Sequence, residues 1–497
     1  MNRILYKSTR GQGEQITASA AILKGIADDG GLFVPTEIPE PGIPLNDLIN
    51  MDFKNLAYHI IKEYLQDFEE VEIRDCINKA YNEKFDTPSI APLVKKSGVY
   101  FLELFHGPTL AFKDMALSIL PYLLKTAAKK QKLNKEIVIL TATSGDTGKA
   151  ALEGFAGVPG TKIIVFFPKS GVSEIQKMQM VTQTGDNTHV IGIEGNFDDA
   201  QTGVKNIFSD KELQKDMSAL NYVFSSANSI NIGRLIPQIV YYYYAYLQLC
   251  RMGDIKAGEE INFTVPTGNF GNILAGYYAK KMGLPIKHLI CASNENNVLY
   301  DFFNTGIYDK KRDFIITMSP SMDILVSSNL ERLLYYIHDE DSDMVNELMT
   351  QLSLKGAYVI NKQAKEKLSD FYGYYASEAD TSEAISEMYK SDGYIIDTHT
   401  AVALSAYGKH RNQKCDFDTK TVILSTASPY KFAPEVMKSI DPKYSELNSF
   451  HLIKKMSRLM KAEIPGGIRD LNNKPVIHNT VCSKDEMKEQ VVTILKL

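Results

Sequence analysis

Paired cysteines, long apolar runs and an excess of one charge are all missing from this chain of 497 residues. Its five cysteines, Cys76, Cys250, Cys291, Cys415 and Cys482, are far apart and never stand as C-x-x-C, which argues against a disulfide framework or a zinc knuckle. The opening MNRILYKSTRGQGEQ has no apolar stretch of the secretory kind. No uncharged apolar run reaches the roughly 18 residues that a membrane span requires. The formal net charge is only -5, with no basic stripe and no polybasic amphipathic segment, so neither nucleic acid nor a membrane surface is expected as a partner. These absences lead to the expectation of a cytoplasmic protein with reduced thiols and a small-molecule partner. What remains is an ordinary globular mixture, 44% hydrophobic and 23% charged, with length for about three domains.

From Glu136 onward, short β-rich runs alternate with helical stretches. EIVILTA (136–142), TKIIVFFP (161–168) and THVIGIEG (188–195) read as buried strands, each followed by a turn and a helical pattern. The alternation resumes at EINFTVP (260–266), PIKHLICAS (285–293) and TKTVILSTA (419–427). Continuous Val/Ile/Phe strands between helices predict α/β architecture, with parallel sheets covered on both faces. The expected division is a helix-rich N-terminal part (1–95), a smaller α/β unit (136–205) and a larger one (96–135 and 206–497). HDEDSD (338–343) reads as a solvated loop or helix cap, and the tyrosines of YYYYAYLQL (241–249) read as packing residues.

Three glycine- or hydroxyl-bearing turns follow strands, where α/β sheets bind ligands. In PTGNFGN (266–272), Gly268 and Gly271 suggest positive φ and close approach of a ligand, and a helix beginning near Asn272 offers its N–H groups to an anion. TSGDTG (143–148) supplies the hydroxyls of Ser144 and Thr147, and is only superficially similar to a P-loop. Thr143 stands where that motif needs glycine, and Ala150 where it needs Ser or Thr. STASPYKF (425–432) places Thr426 and Ser428 at a strand end, as neutral partners for a ring nitrogen.

Lys113, in HGPTLAFKDMAL, precedes apolar residues at Ala116, Ile119, Leu120, Leu123, Leu124, Ala127 and Ala128, the spacing of an amphipathic helix bent at Pro121. Apolar surroundings and a helix N-terminus both lower an amine's pKa, towards the neutral form that Schiff-base chemistry needs. A phosphate nest, a ring-nitrogen partner and an activated lysine are together what pyridoxal 5'-phosphate requires.

Over nearly its whole length the chain also resembles the threonine synthase family, of the longer bacterial and fungal kind, within the fold-type II pyridoxal-phosphate enzymes. The matching segments are YKSTRG, DDGGLFVP, ELFHGPTLAFKD, TATSGDTGKAAL, EGNFDDAQ, NSINIGRLIPQ, VPTGNFGN, MDILVSSNLERLLYY and STASPYKF. The resemblance implies that Lys113 bonds the cofactor, that Gly268, Asn269, Phe270, Gly271 and Asn272 cradle its phosphate, and that Thr426 meets the pyridine nitrogen. Asp146 falls where related enzymes place an asparagine beside the cofactor's 3-hydroxyl. The family often reads T-A-H-P-A-K-F where this chain has Ser428 and Tyr430, a departure that touches the loop's side chains but not Thr426.

The implied reaction converts O-phospho-L-homoserine and water to L-threonine and phosphate. The substrate's own phosphate then needs a second anion site. Candidates are Ser144, Thr147, Arg234 and Arg10, together with the motif around Ser327, Ser328, Asn329 and Arg332. Arginine suits bidentate phosphate binding. The alternatives are another fold-type II lyase, such as a threonine or serine dehydratase, and a synthase-like binding protein without turnover; intact Lys113 and GNFGN argue against the latter. A nucleotide-phosphate enzyme is weakened by the broken P-loop pattern. Monomer and homodimer are both left open.

Overall fold

In the computed structural model, which describes residues 3–143, 145–169 and 172–497, the apolar strands assemble into two sheets. The larger has the order Phe371–Tyr375, Ile286–Ser293, Ile261–Pro266, Thr421–Ser425, Val99–Glu103, Leu93–Lys96. Its pairings are parallel except the last, which is antiparallel. The smaller sheet runs Val481–Ser483, Thr188–Glu194, Thr161–Pro168, Glu136–Ala142, Tyr222–Ser225, parallel throughout. Every residue of Ile261–Pro266 and Thr421–Ser425 is buried, because helices cover both faces and leave no side for polar residues.

Two boundaries differ from expectation. The smaller unit is not confined to 136–205, since two of its strands are Tyr222–Ser225 and Val481–Ser483. Strands of four and three residues are too short to carry a periodic signal. The front part is helix-rich as expected, with helices Phe53–Tyr64 and Glu70–Ala80, but it also holds the antiparallel pair Tyr6–Ser8 and Phe33–Pro35. Its last strand, Leu93–Lys96, already belongs to the larger sheet. One apolar core joins Ile22, Phe53 and Ile61 of the front part to Tyr241, Phe263 and Leu424. Among the described residues no helix is long and apolar enough to cross a membrane.

The acidic run 338–343 acts as a cap: the Asp341 carboxylate accepts from the N–H groups of Asp343 and Met344 at the start of helix Ser342–Lys355. The tyrosine run lies in helix Ile232–Met252, where Tyr241, Tyr242, Tyr243 and Tyr246 are all buried.

Candidate active site

The C-terminal ends of Val99–Glu103, Thr421–Ser425 and Ile261–Pro266 lie side by side, so the three turns that follow them are neighbours. Main-chain bonds stitch the lysine turn to the Thr426 turn. Phe112 N donates to Thr426 O at 2.8 Å, Ser428 N to Leu110 O at 3.0 Å, and Leu104 N to Ser425 O at 2.9 Å. Leu110 takes φ +62°, a conformation a leucine adopts only when its surroundings fix it, and its side chain is buried.

Lys113 stands just before a single-turn helix, Asp114–Leu117, and a second helix, Leu120–Lys130, begins with Pro121 in its first turn. The expected bent helix is therefore two helices, because proline fits a first turn better than an interior. A one-turn helix has a small dipole. Burial is the leading cause that lowers the Lys113 pKa; Asp146 opposes it, and the charges of Lys431 and Arg234 add to it. The Lys113 side chain is 11% exposed.

Asp146 opens helix Asp146–Phe155 after the first strand of the smaller sheet, so it approaches from the other side of the cleft. Its carboxylate lies 3.7 Å from Lys113 Nζ and 2.7 Å from Lys431 Nζ. It also accepts from Gln176 Nε2 at 2.8 Å and Ser321 Oγ at 3.2 Å. Burial alone would raise its pKa, but the charges of Lys431 and Lys113 hold it far below the ordinary carboxylate range. Asp146 is thus an anion that two lysines share. Thr143 shapes this turn: its Oγ1 accepts from Gly145 N at 3.0 Å and Gly148 N at 2.9 Å. Thr147 is half-buried in the helix's first turn, and Ser144 lies outside the described residues.

The glycine turn departs from expectation in its dihedrals. The positive φ belongs to Phe270 (+63°), the N-cap of helix Gly271–Lys281, and neither Gly268 nor Gly271 has a positive φ. Phe270 holds that conformation because its ring is buried against Phe303 and Phe371, with centroids 5.9 and 6.0 Å away. Gly268 serves close approach instead: a Cβ there would meet the Ser321 carbonyl at 2.7 Å. The first N–H groups of an α-helix have no intrahelical acceptors, so Gly271 and Asn272 present theirs to the turn. The Asn272 side chain faces the other way, accepting from Tyr241 Oη at 2.6 Å and Tyr242 Oη at 3.0 Å. The tyrosine run thus anchors the base of the turn, a role invisible in its spacing.

The residues expected at a second anion site separate. Arg234 is 2% exposed, donates one N–H to Ala227 O at 3.0 Å and leaves Nε without a partner among the described residues. Burial lowers it to about 10, so it remains a cation at neutral pH, with no carboxylate paired to it among the described residues. Arg10, by contrast, is engaged by Glu331 at 3.1 and 2.9 Å and is not free to take a substrate phosphate. Ser328 and Asn329 brace the glycine turn: Asn329 N and Nδ2 donate to Asn269 O at 3.1 and 3.0 Å, and Ser328 Oγ is 3.5 Å from Asn269 Oδ1. Ser327 Oγ likewise donates to Gly268 O at 2.7 Å. Arg332 is fully buried and ties Phe33 O and Ile230 O together.

Sequence reasoning passed over four contributors. Lys431 is fully buried and also donates to Thr109 O at 2.8 Å. Gln176 orients Asp146. Ser321 Oγ lies 3.4 Å from Lys113 Nζ, and its N–H donates to His399 Nε2 at 3.1 Å. His399 is in turn held through Nδ1 by buried Asp397 at 2.9 Å. Ser321 reaches the site because Asn294 and Asn296 both donate to Asp323 Oδ1, at 2.7 and 2.9 Å, fixing the segment around it. Lys431 alone had a signal, since it stands in the quoted STASPYKF.

The donor set suits a phosphorylated aldehyde cofactor: a cradle that a Cβ would fill, helix N–H groups, a buried arginine without a carboxylate partner among the described residues, and an amine whose pKa burial lowers. The Thr426 hydroxyl, at the end of its strand, makes no hydrogen bond among the described residues.

Comparison with known proteins agrees with this chemistry. Residues 5–81 match the family "Threonine synthase N terminus", residues 84–427 "Pyridoxal-phosphate dependent enzyme", and residues 400–478 "Threonine synthase, C-terminal". Human threonine synthase-like 1 is 40% identical over 443 residues, 86% of this chain; the chain spans 58% of that relative's length. Threonine synthase of Schizosaccharomyces pombe is 38% identical over 478 residues, 90% of this chain and 91% of the relative. The crystal structure of PLP-bound threonine synthase from Brucella melitensis superposes with a TM-score of 0.87 at 34% identity, covering 99% of this chain and 100% of that one. With a lysine, a glycine cradle and a strand-end threonine converging as they do, the chain belongs to the threonine synthase family of pyridoxal-phosphate-dependent enzymes.

Proposed function

We propose that this chain converts O-phospho-L-homoserine and water to L-threonine and phosphate, with Lys113 as the reacting amine. One observation carries the reading: the basic side chains of Lys113, Lys431 and Arg234 lie within electrostatic reach of one another, and Asp146 is the only carboxylate ion-paired to any of them among the described residues. Such a cluster favours a doubly phosphorylated assembly of cofactor and substrate over a neutral amino acid. The N–H groups of Gly271 and Asn272 would hold the cofactor phosphate, Thr426 its ring nitrogen, and Asp146 the side bearing the 3-hydroxyl. Pyridoxal phosphate, when bound, supplies an electron sink for carbanions formed beside the substrate's amino group.

The chain's own residues do the rest. Lys113, its pKa lowered by burial, takes the proton from the substrate α-carbon and later returns one. Ser321, between the amine and Asp146, relays or steadies that proton. Arg234, with its unpaired Nε, takes the substrate phosphate, which leaves the γ-carbon with the bonding electron pair once the β-carbon has given up a proton; the γ-carbon then gains a proton. The β-carbon loses one proton and gains the hydroxyl of water. The Phe112 ring, its centroid 5.2 Å from Lys113 Nζ, gives the amine an apolar wall.

Incubation with O-phospho-L-homoserine should release phosphate and threonine in equal amounts. Borohydride should bleach the yellow protein and fix the cofactor on Lys113, and Lys113→Ala should lower kcat by about 10³-fold or more. Faster turnover of a different homoserine ester would overturn the substrate assignment, and a reduced cofactor found on another lysine would overturn the site.

A further inference from the structure

The helix that supplies His399 to the active site carries a second histidine at its far end. His410 lies near the C-terminus of Thr398–Lys414, about 16 Å along the helix from His399 at 1.5 Å per residue. It packs against the start of Ile286–Ser293, where His288 stands; the two rings are 5.5 Å apart, at 74°. Asp416 follows just after the helix. The candidate ligand atoms of His288, His410 and Asp416 all lie within 4.8 Å of one another.

Two features set this cluster apart from a packed core. His410 is 1% exposed, yet neither of its ring nitrogens has a hydrogen-bond partner among the described residues, and His288 Nδ1 has none either. A neutral imidazole carries one N–H and one lone pair, and buried examples normally satisfy both. Burial first, then the charges of His288 and the neighbouring lysines, bring His410 down to about 4, despite the opposing pull of Asp416. Burial with Lys287 and Lys280 also lowers His288.

We propose that His288, His410 and Asp416 bind one divalent transition-metal ion, fastening the helix Thr398–Lys414 to the larger sheet at the end remote from Lys113. Two nitrogens and one carboxylate oxygen are the ligand set of zinc and its neighbours, with water completing the coordination; calcium and magnesium prefer oxygen throughout. Thr419 N donates to Asp416 Oδ1 at 3.1 Å and orients the carboxylate. Tyr372 and Tyr374 wall the site, with ring centroids 5.0 and 5.6 Å from His410. A competitor for the carboxylate is already in place: Lys287 Nζ is 2.8 Å from Asp416 Oδ2 and 2.9 Å from Thr419 Oγ1. An arriving ion displaces Lys287 from Asp416, while Thr419 retains it. Lys280 and Lys414 also bear positive charge close by, so the ion binds against a local repulsion.

Equilibrium dialysis of the cofactor-loaded protein against zinc, with bound metal counted, tests the proposal. The wild type should retain one zinc per chain. His288→Ala and Asp416→Ala should each weaken binding at least tenfold, and Lys287→Met should tighten it by removing the competing cation. Amino-acid-forming activity should be unchanged in all three. Zinc retained equally by wild type and the His288→Ala/Asp416→Ala double variant, or no retention by wild type, overturns the proposal. His288 is half-buried, so should Asp416→Ala fail to fold, His288→Ala alone decides: undiminished zinc in that variant sinks it.

Discussion

Asp146 sits 3.7 Å from one lysine amine and 2.7 Å from another, so its replacement by asparagine leaves Lys431 buried and uncompensated. Removing one partner of a buried ion pair costs about 3–5 kcal/mol, so Asp146→Asn should melt at a markedly lower temperature. The same change withdraws the charge that raises the Lys113 pKa, and the acidic limb of the kcat/KM profile should move to lower pH; an unmoved limb would separate Asp146 from the amine's titration. His106 offers an independent pH test. Burial lowers its pKa, but hydrogen bonds to Asp86 (2.5 Å) and Glu103 (2.9 Å) outweigh that and raise it to about 9. The folded chain therefore holds a proton that the unfolded chain loses near pH 6.5. This contribution is fully present below pH 6.5 and fades as pH rises to 9, by about 3 kcal/mol at most. Denaturant titrations across that range should show the decline in wild type and a flatter course in His106→Gln.

The turn from Pro266 to Asn272 joins strand Ile261–Pro266 to helix Gly271–Lys281, and its sequence invites a false assignment of roles. Two glycines in seven residues suggest positive φ, yet the residue that takes it is Phe270, held by its aromatic neighbours. Tertiary packing can impose on a bulky residue what local preference would give to glycine, and single-sequence reasoning does not see the packing. Phe270→Ala should cost about 3–5 kcal/mol and loosen cofactor retention, measured by dialysis of the yellow protein. Gly268→Ala should leave stability less affected but displace the Ser321 carbonyl that its Cβ would meet at 2.7 Å, so its loss should appear in cofactor affinity. Tyr241→Phe removes one of the two hydroxyls on Asn272 Oδ1 and should give a milder version of the same defect.

Across the whole molecule, what could be read in advance follows contact distance along the chain. EIVILTA and TKIIVFFP coincide with strands Glu136–Ala142 and Thr161–Pro168, because a strand buried on both faces announces itself as an unbroken apolar run. The positions of Lys113 and Thr426 in turns beyond strands were legible from local setting and motif. Lys431 beside Asp146, Ser321 beside Lys113 and His399 beneath Ser321 were not, since each contact joins segments separated by tens to hundreds of residues. The strand Val481–Ser483 belongs to the same class. Removing residues 479–497 should expose Ile193, Val204 and Ile207, which share a core with Cys482, Met487 and Val491, and hydrogen exchange should then quicken first along Thr188–Glu194.

That late strand also bears on synthesis. Gly192–Glu194 leaves the ribosome with one row of main-chain N–H and C=O groups still bare, and the segment that pairs with them is translated only after every strand of the larger sheet. Until then the nascent chain carries a longer open edge of the kind that pairs with strangers, so a pause late in translation prolongs a hazard that the finished chain reduces.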